Sequence, residues 1–141
     1  TRPFELCGAP WVADERFADA LNARRVPGVF FRPTIFEPTF HKHARTTCGG
    51  VQIHVTDRTA FPAVMAGVLL TEAFRDASEG QFEWRQPPYE YEYRLLPFDI
   101  LAGTDGTREQ IEAGVPAEEI ARSWEPAVRQ FLALRERFLL Y

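Results

Sequence analysis

His41-Lys42-His43 sets two imidazoles on either side of an ammonium, and Cys48 and His54 follow soon after. His41, His43, Cys48 and His54 are all zinc-ligand types, but their spacing matches no established zinc pattern. Lys42 between the histidines would also repel a cation. The sequence therefore favours surface or cleft-lining histidines, with no metal and no cofactor. Glu90 and Glu92 stand two residues apart in the run Tyr89-Glu90-Tyr91-Glu92-Tyr93, so an extended backbone would put both carboxylates on one face. A glycosidase needs two carboxyls about 5–9 Å apart across a sugar. The favoured reading is plainer: the solvated face of a strand whose other face carries Tyr89, Tyr91 and Tyr93. Those three rings are also candidates for a sugar-stacking platform. No Gly-rich phosphate loop, nucleophile elbow or HExxH motif is present.

The chain that must position these groups has 141 residues, 45% hydrophobic and 26% charged, which suits a folded domain and excludes wholesale disorder. The net charge of −4 argues against a nucleic-acid partner held by bulk electrostatics. Charge is unevenly spread. Residues 1–70 hold 8 basic and 6 acidic side chains, against 8 and 14 in residues 71–141, so an anion site belongs in the first half. Fifteen of the sixteen basic residues are Arg and only Lys42 is Lys. The longest uncharged run, Thr59 to Thr71, is 13 residues, too short to span a bilayer, and no membrane partner is expected. The chain opens on Thr1 in a Pro-rich stretch, as a piece of a longer protein would. Cys7 and Cys48 make no disulfide framework, and whether they pair is left open.

Hydrophobic periodicity and turn signals predict the elements. Residues 1–12 read as an extended lead-in. Asp14 caps a short helix with Phe17 and Leu21 on its inner face, and Val26-Pro27-Gly28 stops it. Val29 to Phe36 is a strand that Pro33 assigns to an edge or a bulge. Residues 37–50 form a loop. In Val51–Thr56, Val51, Ile53 and Val55 face one side and Gln52, His54 and Thr56 the other. Asp57 or Thr59 caps an apolar central helix running to about Ala77. Residues 81–95 form a tyrosine strand, hairpin-paired across Pro87-Pro88. Two short helices follow, ended by Gly103 and Gly114. A long last helix has Pro116 in its first turn, and Pro126 inside it should kink or restart it. Its stripe of Ile120, Trp124, Val128, Phe131, Leu134 and Phe138 is expected to pack on the sheet. The class is α+β: a small mixed or antiparallel sheet packed against a central apolar helix and a long C-terminal helix.

Several stretches together carry a resemblance. They are Thr1–Glu5 with Gly8-Ala9-Pro10-Trp11; Phe40, Lys42 and Cys48-Gly49-Gly50-Val51-Gln52; Phe98-Asp99 with Leu101 and Gly103; Ile111 and Gly114; and Ser123-Trp124 with the final Leu139-Leu140-Tyr141. Their order and spacing resemble the C-terminal domain of the NamZ-type (YbbC-like) exo-β-N-acetylmuramidases over nearly the whole chain. Cys7 and Val115 depart from the family's usual residues. The resemblance implies that residues 1–141 are a single C-terminal accessory domain. The family's N-terminal Rossmann-like catalytic domain lies outside this chain. That domain and peptidoglycan-derived muramic acid saccharides are then the partners, and the location is secreted or periplasmic. In this reading the full-length protein is a glycosidase that removes terminal N-acetylmuramic acid, and this chain completes the substrate cleft without supplying catalytic residues. The alternatives are a stand-alone carbohydrate-binding domain and a structural or dimerisation domain.

N-acetylmuramic acid carries a lactyl carboxylate, for which Arg or Lys is the expected partner. Arg2, Glu5, Lys42 and His54 are accordingly expected to bind or orient the sugar. The lead-in segment and the 40–54 region should meet on one side of the domain.

Overall fold

The computed structural model describes residues 4–12 and 15–140. The order is β1 (Leu6–Ala9), α1 (Arg16–Ala23), β2 (Val29–Phe36), β3 (Cys48–Val55), α2 (Ala63–Asp76), α3 (Pro97–Ala102), α4 (Gly106–Glu112) and α5 (Ala117–Arg135), with a 3-10 turn at Glu136–Phe138. The α+β class, the antiparallel sheet and the long last helix agree with the sequence. The chain forms two compact units, Thr1–Trp84 and Arg85–Tyr141.

In the first unit the three strands run in the order β1-β3-β2, antiparallel throughout. β1 occupies part of the segment read as a lead-in; four residues holding a glycine give little strand signal. β3 is the central strand and is buried from Cys48 to Gln52. β2 is an edge strand, as Pro33 indicated. The Asn22 side chain on α1 clasps that edge: Nδ2 donates to the Phe31 carbonyl (2.8 Å) and Oδ1 accepts from the Phe31 N–H (2.9 Å). Phe31 therefore directs its backbone groups outward, and Pro33, two residues on, shares that direction. Its missing N–H costs the sheet no ladder bond.

Phe31, Val51 and Leu21 are fully buried and form the core with Ala66 and Leu69 of α2. Phe17 meets Phe74 with ring centroids 4.7 Å apart. The helix cap expected at Asp14 lies outside the described residues. α2 begins at Ala63, later than expected, because Pro62 disfavours helical backbone at Phe61. Asp57 instead caps the turn before it, with Oδ1 accepting from the N–H groups of Thr59 (2.8 Å) and Ala60 (3.3 Å). These bonds, Thr59's first, hold its carboxyl below the usual carboxylate range.

The face assigned to Gln52 is not open to solvent. Gln52 is only 4% exposed, and its amide oxygen accepts from the Arg32 guanidinium beside it on β2. Cys7 lies opposite Val51 and Cys48 opposite Phe36, so the thiols are three positions apart along β3, about 10 Å, beyond disulfide reach. Both are free, and burial pushes both thiols up. Adding reductant is expected to leave the melting midpoint unchanged. A bridge closing a loop of this length contributes about 2–5 kcal/mol, so a clear downward shift on reduction would reveal one.

In the second unit Arg108 ties α3 to α4. Its Nε donates to both oxygens of Asp99 (2.9 and 3.1 Å) and its Nη1 to Glu112. Ile111, Ala117 and Ile120 are buried where α4 meets α5. Gly103 and Gly114 end their helices at positive φ, as expected. Pro116 stands just before α5 and not in its first turn. The helix runs through Pro126 without restarting. The carbonyl of Arg122 that the missing N–H would have bonded belongs to an exposed residue, so water can satisfy it. Beyond Trp124 the stripe is uncovered: Phe131 is 60% and Phe138 75% exposed, and Val128 and Leu134 are also exposed. The burial expected of this half of the stripe is therefore not found.

The tyrosine strand is also absent. Residues 89–92 form a tight turn, with Tyr89 N–H donating to the Glu92 carbonyl (2.9 Å) and Glu92 N–H to the Tyr89 carbonyl (2.8 Å). Pro87 and Pro88 have no N–H to give a ladder. The Glu92 carboxylate takes the N–H groups of Tyr93, Arg94 and Leu95 that a partner strand would have used.

Candidate functional site

A cleft of about 1360 Å³ lies in the first unit and follows β1. α2 supplies one wall through Ala66, Gly67, Leu70 and Phe74; the 36–43 segment, the end of β3 and the acidic Glu83 beside Phe82 contribute to the others. β1 pairs very closely with β3. Gly8 stands opposite Gly50, and a Cβ built on Gly50 would lie 2.0 Å from the Cys7 carbonyl oxygen. The Phe36 ring closes over Gly8, 2.6 Å from where its Cβ would be.

The two ends of the cleft differ. At one end Glu5 accepts the Ile53 N–H through its carbonyl (2.8 Å), and His54, Arg58 and Phe61 lie near the start of α2. At the other, Trp11 Nε1 donates to the Phe74 carbonyl (3.2 Å) near the end of α2, and the Trp11 ring meets His43 edge-on at 5.8 Å. Lys42 belongs to this second end. The 14 residues of α2 set the separation at about 20 Å. Glu5, Lys42 and His54 thus line one cleft, but Lys42 stands well away from the other two. Arg2 lies outside the described residues.

Lys42 sits in a run of tight turns with His41, His43 and Arg45 at φ of 62°, 60° and 60°. Left-handed backbone at three non-glycine residues costs free energy, and the surrounding structure must hold it. Arg45 N–H donates to the Pro38 carbonyl (2.8 Å) and Thr46 N–H to the His43 carbonyl (3.0 Å). Burial, and then the Lys42 charge, hold His43 below its usual range, which favours a neutral ring beside the ammonium. Among the described residues neither Lys42 nor Arg58 has a carboxylate partner. His54 Nε2 is buried and also unpartnered among them. The cleft therefore offers a free cation at each end, an apolar wall between them, and an imidazole nitrogen able to donate or accept.

Arg58 was missed by sequence reasoning. The Asp57-Arg58-Thr59 turn directly after a strand was its only signal. Of the zinc-type residues, His41 meets Phe40, His43 meets Trp11, and Cys48 Sγ donates to the Thr46 carbonyl (3.5 Å). No group of three possible metal ligands comes together among the described residues.

The family described as exo-beta-N-acetylmuramidase NamZ, C-terminal, matches residues 1–141. The chain belongs to the NamZ C-terminal family. It is 39% identical over all 141 residues to the peptidoglycan beta-N-acetylmuramidase NamZ of Bacillus subtilis (strain 168), covering 32% of that protein. It also matches the crystal structure of a DUF1343 family protein from Bacteroides fragilis NCTC 9343. The TM-score is 0.80 at 26% identity, across all of this chain and 36% of that one. The chain thus spans about a third of the length of these two relatives.

Proposed function

We propose that this domain completes the saccharide cleft of an exo-β-N-acetylmuramidase whose catalytic carboxylates lie on an N-terminal domain. The observation that carries the reading is the match over the whole chain to the NamZ C-terminal family, joined here to a cleft lined by Lys42 and Arg58, neither paired with a carboxylate among the described residues. The substrate class is a peptidoglycan fragment ending in N-acetylmuramic acid, and the enzyme works secreted or in the periplasm. Lys42 is the point charge for the lactyl carboxylate, and Arg58 stands ready for an anionic or hydroxyl group about 20 Å away. Glu5 and His54 orient hydroxyls near Arg58. Arg2, outside the described residues, is proposed as a further cation for the same fragment. None of these residues breaks the glycosidic bond.

The test is hydrolysis of a chromogenic N-acetylmuramic acid glycoside by the full-length protein and by the 141-residue domain. Turnover is expected from the former alone; robust turnover by the short domain would place the catalytic carboxylates within it. Lys42→Ala in the full-length protein is expected to lower kcat/KM about tenfold, since an exposed ammonium contributes less than a desolvated one. A value within twofold of wild type would leave Lys42 without a role.

A further inference from the structure

The turn at residues 89–92 is built on unfavourable backbone. Its two central residues, Glu90 and Tyr91, both have positive φ, 49° and 69°. With the paired bonds between Tyr89 and Glu92 this is the geometry of a two-residue type I′ turn, where Asn-Gly is the usual choice. A tyrosine in the left-handed region is a steric outlier. Within this unit the ring gains no packing in return, because Tyr91 is 92% exposed. Tyr93 is 71% exposed and Leu95 is exposed with it. The turn is nonetheless held firmly. The Glu92 carboxylate accepts from three successive backbone N–H groups, and the bond from Arg94 is the largest cause of its lowered pKa. On the near side the Arg85 guanidinium lies 5.6 Å from the centre of the Tyr89 ring. Arg94, exposed beside the turn, has no acidic side-chain partner among the described residues.

We infer that this turn is a saccharide contact, in which Tyr91 and Tyr93 take the C–H face of a pyranose ring and Arg94 donates to hydroxyl or acetamido oxygens at its rim. The negative face of an aromatic ring attracts the positive edges of axial C–H bonds, and a guanidinium is a multiple donor to sugar oxygens. Strain at an exposed tip, held by bonds from below, is what a presented side chain requires. The inference rests on the muramidase reading for the identity of the sugar, and it adds a contact surface that the cleft along β1 does not contain.

The test uses the full-length protein with Tyr91→Gly, Tyr91→Phe and Arg94→Gln. Glycine relieves the left-handed backbone, so Tyr91→Gly is expected to keep or raise the melting midpoint. It should raise KM for a muramic acid disaccharide about five- to tenfold, with kcat little changed. Tyr91→Phe should restore KM, because the ring face and not the hydroxyl makes the contact. Arg94→Gln should raise KM for the same disaccharide severalfold with kcat little changed. Unchanged KM in Tyr91→Gly overturns the inference. A lowered midpoint with unchanged KM also overturns it, since the ring would then pack on the rest of the protein. Titration of the same disaccharide, followed by the amide resonances of residues 90–94, separates the two proposals. Shifts there without any turnover by wild type sink the muramidase reading and keep the contact. Turnover without shifts does the reverse.

Discussion

Gly50→Ala is expected to cost the domain about 3 kcal/mol or more, at or above the top of the usual range for overpacking. The new Cβ would lie 2.0 Å from the Cys7 carbonyl oxygen and 2.6 Å from Gly8 Cα. Both are backbone atoms, so no side-chain rotation relieves the clash. β1 has only four residues to hold it and must move away. The Ile53 N–H, which donates to Glu5, then loses its partner, and the cleft loses the wall that carries Glu5. The measurements are the melting midpoint and hydrogen exchange at Ile53. Gly67 is the control. It lies inside α2 with nothing within 4 Å of a Cβ position, so Gly67→Ala should stabilise by about 0.5–1 kcal/mol. A Gly50→Ala protein as stable as wild type would mean that β1 and β3 are not paired this closely.

Phe31→Ala is the second large effect, about 3–5 kcal/mol against a typical total of 5–15 kcal/mol. Phe31 is 1% exposed, the largest of the fully buried side chains. The Asn22 clasp keeps its backbone in place, so the strand cannot collapse into the space and a cavity remains. Ile35, four residues along the same strand and exposed, is the comparison. Ile35→Ala should stay within about 0.5 kcal/mol of wild type. Equal losses at the two positions would show that β2 is buried differently from the structure described.

What could be read from the sequence follows from how local the cause is. β2 and its edge position were legible because Pro33 states its own constraint. The α3 and α4 stops were legible because Gly103 and Gly114 are needed at positive φ. The tyrosine segment misled because alternation signals a strand only when a partner can accept the ladder. Two prolines and the Glu92 carboxylate removed that possibility, and neither effect shows in periodicity. The α5 stripe is a real apolar period that this unit leaves uncovered past Trp124. In the candidate site, Lys42 stood out as the lone lysine, and His54 by its strand. Arg58 had no such mark, and Lys42 stands away from His54 because the loop that carries Lys42 enters β3 at Cys48 while His54 is near the other end; the alternation reveals this strand only from Val51 on.

The Asn22 amide has a consequence beyond the core it borders. By occupying both outward backbone groups of Phe31 it leaves no free pair there for an arriving strand. Pro33, further along the same edge, has no N–H to offer. The sheet is therefore asymmetric as a template: blocked at β2, and bounded on its other side by β1. Stray chains in a crowded solution find only one side on which to add, which limits this small sheet's tendency to seed aggregates.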